Sequence, residues 1–255
     1  MAEAPLPHFL IIGAQRGATR WLRSNLSQHP DIFMPPFDLG FFDDARLFRK
    51  PGLAWYRGQF LAWHDERLVG ESTPTYLTAA TDPALVAARI DVTLPDVRLV
   101  ALVRQPVERM YSSMLHHIKR GRLSPRTDLF ALVRDEHPDV AELDLIGAGL
   151  YAFNLAPFRR LFGERLQIVV YDDVRDRPRE AFRAVLGHIG ADPDFVPPDL
   201  EQVLFSNRRS VRARPVSHAQ HQRLYSLFRD DVEELGAVLG RDMGDWDPGP
   251  PPRGT

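Results

Sequence analysis

The 255-residue chain contains no cysteine, which excludes disulfides, thiolate metal sites and a cysteine nucleophile. It also has no apolar run long enough to span a bilayer. Its first residues, MAEAPLPHFLII, carry neither the basic start nor the small-residue cleavage site of a secretory leader. Together these absences set the expectation of a cytoplasmic protein. An excess of charge of one sign is lacking too. The 32 Lys and Arg against 34 Asp and Glu leave a formal net charge of −2, which argues against general nucleic-acid binding. Any site for a polyanion must therefore be local.

What is present is ordinary for a globular protein. Apolar residues make up 44% and charged residues 26%, in a chain long enough to bury a sizeable core. Short aliphatic segments at 9–12, 68–70, 98–103 and 166–171 read as buried strands. Helical patterns at 19–28, 83–92, 106–120, 149–162, 178–190 and 217–239 separate them. This alternation predicts an α/β fold of three layers, P-loop-like, with a central parallel sheet flanked by helices. One domain is expected over 1–246, followed by a disordered tail, 247–255 (DPGPPPRGT). Residues 35–66 are irregular and rich in aromatics, forming either a cap over the sheet or the lining of a cleft.

The most informative stretch is 9–21, FLIIGAQRGATRW. An apolar strand runs into a turn of small residues, Gly13, Gly17 and Ala18, and a helix opens at Thr19. Such a turn aims free backbone N–H groups and the positive helix end at one point, which suits a phosphate. Arg16 adds a permanent cation able to hold two oxygens at once. The plainer reading is a β–α turn that needs small residues for steric reasons, and this stretch alone leaves both open. A second segment, RLVALVRQPVERMYSSMLHH (98–117), places Arg104 at a strand's C-terminal end and Ser112 two turns into the next helix. In open α/β sheets, ligands bind at that end of the strands. Arg104 and Ser112 read as a second phosphate site, or else as a salt-bridged surface arginine and a solvated serine.

Taken together, these segments are familiar. FLIIGAQRGATRWL resembles the 5′-phosphosulfate loop of sulfotransferases that use 3′-phosphoadenosine 5′-phosphosulfate (PAPS), and RQPVERMYS resembles their 3′-phosphate segment, Arg-x-Pro-x-x-Arg-x-x-Ser. HPDIFMPP, the FF of DLGFFDD, WYRGQF, GESTPTYL, YAFNLAPFRRLF and a late strand ending VVYDDV fall in family order, so the resemblance covers residues 8–246. The Gly-Ala-Thr-Arg run and the FFDD context resemble the carbohydrate-type branch, such as heparan sulfate sulfotransferases and their bacterial relatives.

The resemblance implies in-line, metal-independent transfer of a sulfuryl group from PAPS to a hydroxyl of a small-molecule, sugar or lipid acceptor. The product nucleotide is adenosine 3′,5′-bisphosphate (PAP). It implies donor contacts from Gln15, Arg16, Gly17, Ala18, Thr19, Arg20 and Trp21 at the 5′ end. Arg104 and Ser112 take the 3′-phosphate, and a late basic loop supplies Arg208, Arg209 and Arg212. Arg16 stands where the family usually has Lys, which fits electrostatic stabilisation of the leaving phosphate better than proton donation.

The carbohydrate-type relatives have a catalytic Glu three residues before the first of two adjacent Phe, and the same count from Phe41 gives Asp38, the expected base. A turn-forming Asp before Gly40 is the alternative, with His116 or His117 as substitute bases. Ser72 stands where relatives often carry Lys. Glu71, Ser72, Tyr76 and His116 are expected on the acceptor side, with a structural role for Glu71 equally open. The missing leader and membrane spans favour a small soluble acceptor.

Two rivals remain. A P-loop kinase would need Gly-Lys-Ser/Thr closing the loop, and Ala18-Thr19-Arg20 does not supply it, although LQIVVYDD imitates the kinase strand-end Asp. A non-catalytic PAPS-binding relative would keep the fold while losing the chemistry.

Overall fold

Phe9–Gly13, all five residues buried, form the first strand, β1, at the centre of a parallel sheet. Its neighbours are Leu68–Ser72 (β3) on one side and Arg98–Val103 (β4) on the other. Ile32–Phe33 (β2) and Leu166–Val170 (β5) take the edges, giving the order β2-β3-β1-β4-β5. This computed structural model describes residues 4–78, 80, 82–201 and 213–249.

Thr19–Leu26 (α1) follows β1. The aromatic stretch then carries two short helices, Ala45–Arg49 (α2) and Leu53–Gly58 (α3), and Pro83–Thr93 (α4) leads into β4. Between β4 and β5 run Pro106–Lys119 (α5), Leu129–Arg134 (α6), Pro138–Glu142 (α7) and Tyr151–Phe162 (α8). After β5 come Tyr171–Asp176 (α9), Pro178–Ile189 (α10), His218–Tyr225 (α11) and Arg229–Leu239 (α12).

Successive side chains of a strand point to opposite faces, so the sheet separates two cores. Leu10, Ile12, Leu99, Ala101 and Val103 face α4, α5, α8 and α12, together with Phe41, Phe42, Tyr56 and Phe60 of the aromatic stretch. Phe9, Ile11, Val100 and Leu102 face α1, α9 and α10. This is the three-layer α/β arrangement that the sequence predicts. The aromatic residues of 35–66 are chiefly core, while Phe37 stays 53% exposed.

Local chemistry explains where several elements start and stop. Asp82 accepts from the N–H groups of Ala84 and Leu85 ahead of Pro83, and Pro178 opens α10, which Gly190 closes at φ 80°. Three expectations need correction. The helix expected at 217–239 is two helices: the first ends at Tyr225, where the Ser226 hydroxyl donates to Arg223 O at 2.7 Å, and the second begins at Arg229. The strand expected to reach Tyr171 stops at Val170, and Asp172 and Asp173 lie in the first turn of α9. The strand expected at 68–70 continues to Ser72, which places Glu71 within the sheet. Asp247 pairs with Arg229 at 2.9 Å, and Gly249 O accepts from His218 and Gln222. Residues 250–255 lie outside the described residues.

Candidate active site

The loop after β1 is shaped by close backbone packing. Gly13 leaves the strand at φ 148°, where a β-carbon would lie 2.6 Å from Leu77 Cβ and 2.9 Å from Pro74 O. Ala14 N–H donates to Leu102 O at 2.8 Å and Gly17 N–H to Ala14 O at 2.9 Å. A β-carbon on Gly17 would sit 2.5 Å from Leu102 O, so the loop hugs β4 only because this residue has none. Between these anchors Arg16 (φ 70°) and Ala18 (φ 86°) adopt left-handed backbone, unusual for residues with side chains. Among the described residues no side chain caps α1, so its N-terminal N–H groups face the loop without a competing side-chain acceptor there.

The chain leaves β1 toward the α1 face and leaves β4 toward the α5 face, which opens a crevice at the C-terminal ends of these adjacent strands. The two candidate segments meet there. Arg16 Nε donates to Ser112 Oγ at 3.1 Å. Helix α5 is fixed at its start by Gln105, whose side chain accepts from Glu108 N–H at 2.7 Å, and by Pro106. Arg104 pairs with Glu108 at 2.8 Å and lies 4.6 Å over the Tyr171 ring, while Tyr151 donates to Arg104 O at 2.7 Å.

The sequence pairs Ser112 with Arg104, and in the structure the Ser112 hydroxyl also receives Arg16 Nε, so the two candidate segments are in direct contact. Burial, then the charges of Arg104, Arg20 and Arg109, hold the Arg16 guanidinium below its ordinary value. Among the described residues no carboxylate forms a salt bridge with Arg16. Arg109 is fully buried, donates to Leu145 O, and leaves Nε and Nη1 without a partner among the described residues. Clustered guanidiniums, one of them with no acid beside it, together with an uncapped helix start, make a setting for an anion. The residues thus fit a phosphosulfate end.

On the β3 side, Glu71 is fully buried and accepts from Thr73 at 2.7 Å, from Tyr76 at 2.6 Å and from Tyr56. Thr73 Oγ1 in turn accepts from the N–H groups of Leu39 (3.0 Å) and Gly40 (3.2 Å), and Tyr76 Oη from that of Phe41 (3.0 Å). One carboxyl group therefore fixes the backbone just after Asp38. Burial pushes Glu71 up to about 7, against the lowering effect of its three hydroxyl donors. Asp38 itself is half-exposed and pairs with Arg23 of α1 at 2.6 Å.

The remaining predicted residues are placed as follows. Trp21 and Thr19 are buried, and the Trp21 indole donates to Leu200 O at 2.8 Å within the α1 core. Gln15 is half-buried and Arg20 is exposed. Ser72 and Tyr76 are buried beside Glu71, and His116 is half-buried one helical turn beyond Ser112. Arg208, Arg209 and Arg212 lie outside the described residues. Sequence reasoning passed over Arg23, Glu108 and Tyr171, and gave Arg109 no role beyond its place in the Arg-x-Pro-x-x-Arg-x-x-Ser segment. The i,i+4 spacing of Arg104 and Glu108 was a readable signal, whereas nothing local announces that Tyr171 lies under Arg104.

The profile described as sulfotransferase domain matches residues 6–222. The chain belongs to the sulfotransferase family. Heparan sulfate glucosamine 3-O-sulfotransferase 6 of Mus musculus is 29% identical over 263 residues, covering 94% of this sulfotransferase and 74% of the mouse protein. Heparan sulfate glucosamine 3-O-sulfotransferase 3A1 of the same species is 34% identical over 163 residues, covering 62% of this chain and 38% of the relative. The chain thus spans about three quarters of one such relative and little more than a third of the other. A sulfotransferase from Alicyclobacillus acidocaldarius has the same fold, with a TM-score of 0.76 at 24% identity over 95% of this chain and 99% of its own.

Membership makes the chain a transferase and implies PAPS as the sulfuryl donor. It also decides against the kinase. Asp172 and Asp173, which imitate a kinase strand-end acid, are held by Arg175 (2.7 Å) and Trp246 (2.6 Å), and by Arg177 (2.8 Å) and Arg241 (2.5 Å). Among the described residues no helix is long and apolar enough to cross a membrane.

Proposed function

We propose that this sulfotransferase moves the sulfuryl group of PAPS to a hydroxyl of a small-molecule, sugar or lipid acceptor, in line and without a metal. The observation that carries the reading is the meeting of Arg16 and Ser112 in the crevice between β1 and β4, at the uncapped start of α1. PAPS supplies a sulfuryl group already joined to a good leaving group, so no Lewis acid is formally needed to activate it. Arg16 and the N–H groups of residues 18–20 stabilise charge growing on the departing 5′-phosphate, the main catalytic effect available to fixed donors. Arg104, with Ser112 and the late arginines Arg208, Arg209 and Arg212, is assigned to the 3′-phosphate.

Asp38 is assigned the acceptor's proton. Its ion pair with Arg23 keeps the carboxylate oriented, and the hydrogen bonds from Thr73 and Tyr76 fix the backbone that follows it. A sugar hydroxyl is supported by the relatives' names, which specify glucosamine of heparan sulfate.

Calorimetry with PAP tests the donor assignment: binding is expected, and its absence would falsify the reading. Incubation with PAPS and acceptor pools, read by an added sulfuryl mass, tests transfer. That transfer is expected to continue in EDTA, and its loss on chelation would remove the metal-free mechanism.

A further inference from the structure

Resting on the assignment of Asp38 above, we propose that residues 71–77 form a strut that sets the separation between the phosphosulfate loop and the base, with Glu71 as its positioning residue. The strut is the ESTPTYL run that follows Gly70 in the sequence. Its first side is tied to the donor loop by backbone atoms. Thr73 N–H donates to Ile11 O at 3.1 Å and Leu77 N–H to Ile12 O at 2.9 Å, on either side of the 3₁₀ turn Pro74–Tyr76. Gly13, where the donor loop begins, packs so closely on this turn that a β-carbon there would lie 2.9 Å from Pro74 O.

The opposite side holds the chain after Asp38 by hydroxyl groups. A hydroxyl carries one proton and can accept two. Thr73 and Tyr76 each give their proton to Glu71 Oε1, at 2.7 Å and 2.6 Å, which leaves both oxygens to accept from the loop. Thr73 Oγ1 receives the N–H groups of Leu39 and Gly40 at 3.0 and 3.2 Å, and Tyr76 Oη those of Phe41 and Phe42 at 3.0 and 3.4 Å. Four consecutive N–H groups after Asp38 are thus oriented by one carboxyl oxygen. Thr75 extends the grip by donating to Asp43 Oδ2 at 2.5 Å, and Tyr56 holds Glu71 Oε2 from behind.

Glu71, Thr73 and Tyr76 are all buried, so they act on the acceptor through the loop and not by touching it. The carboxyl of Asp38 is joined to its backbone by a single methylene and follows any shift of that backbone. In-line transfer needs the accepting oxygen, the sulfur and the leaving oxygen aligned, and a misplacement of about 1 Å can cost on the order of 100-fold in rate.

The test measures kcat in the full chain, per PAP-binding site counted by calorimetry, with PAPS and an acceptor found by mass shift. Thr73→Val removes the acceptor of two loop N–H groups and leaves the backbone ties to β1 in place. It is expected to lower kcat on the order of 10-fold to 100-fold with PAP affinity within about twofold of wild type. In the Asp38→Asn background the same change should cost less than about twofold. Glu71→Gln keeps an acceptor oxygen for Thr73 and Tyr76 and should hold kcat near wild type, whereas Glu71→Met should fall as Thr73→Val does. If Glu71→Met does not fold, Tyr76→Phe, which lacks the oxygen received by Phe41 and Phe42, takes its place.

An undiminished kcat in Thr73→Val would overturn the strut. So would an equal fractional loss with and without the Asp38 carboxylate, because that is what a merely structural role predicts. Glu71→Gln as impaired as Glu71→Met would overturn the relay through the acceptor oxygen. Full activity in Asp38→Asn alone would instead remove the base reading, and this inference with it.

Discussion

Arg16 Nε donates to Ser112 Oγ at 3.1 Å, tying the loop after β1 to a helix 96 residues further along the chain. The contact crosses the crevice between the two central strands, so each partner sets where the other stands. Replacing Ser112 with Ala should leave the fold intact and weaken PAP binding by roughly fivefold, about 1 kcal/mol for one hydrogen bond. Arg16→Ala should do more. Loss of the cation facing the leaving phosphate is expected to lower kcat on the order of 100-fold to 1,000-fold, with Arg16→Lys recovering part of it. Steady-state kinetics with an acceptor found by mass shift would decide; equal kcat in wild type and Arg16→Ala would end the electrostatic role.

Gly17 carries a steric prediction independent of the chemistry. A β-carbon there would meet Leu102 O at 2.5 Å and Ala14 O at 3.0 Å, both backbone atoms that cannot rotate away. Gly17→Ala should therefore push the loop off β4, costing roughly 1–3 kcal/mol of stability and weakening PAP binding as well. Urea denaturation and calorimetry on the same preparation measure both. Unchanged stability would show that the loop is softer than its packing implies.

Glu71 makes stability depend on pH. In the folded protein its carboxyl holds a proton up to about 7, against an ordinary value of 4.5 in the unfolded chain. The native state thus binds more protons across that interval, and its stability falls as pH rises from about 4.5 to about 7, then levels off. The span amounts to on the order of 3 kcal/mol. Glu71→Gln, which cannot ionise, should flatten the curve. Denaturant titrations at pH 5 and pH 8 give the comparison, and a variant as steep as wild type would place the dependence elsewhere.

The sheet was legible because its strands are buried on both faces and read as aliphatic runs, and because α10 begins with Pro178 and ends before Gly190. Strand β2 was invisible, since Ile32 and Phe33 are too few to show a period. The break at Ser226 was missed because Leu224, Phe228 and Val232 keep helical spacing across it. At the site, the loop chemistry of Gly13 to Thr19 was readable from residue types alone. That Ser112 would meet Arg16, that Glu71 would anchor the backbone after Asp38, and that Arg23 would hold Asp38 all depend on contacts between distant segments. Local pattern carries no trace of those.

The pairing of Asp38 with Arg23 yields the sharpest test of the proton path. If Asp38 takes the acceptor's proton, Asp38→Asn should lower kcat by about 100-fold to 10,000-fold while PAP affinity stays within about twofold of wild type. Arg23 touches the carboxylate at 2.6 Å, the contact through which it would act. Arg23→Ala should therefore lower kcat less, by releasing the orientation of Asp38, and should add nothing further in the Asp38→Asn background. Such non-additivity is the signature of two groups working as a unit. Full additivity of the two substitutions would mean that Arg23 acts on its own, and an undiminished kcat in Asp38→Asn would move the base to another residue.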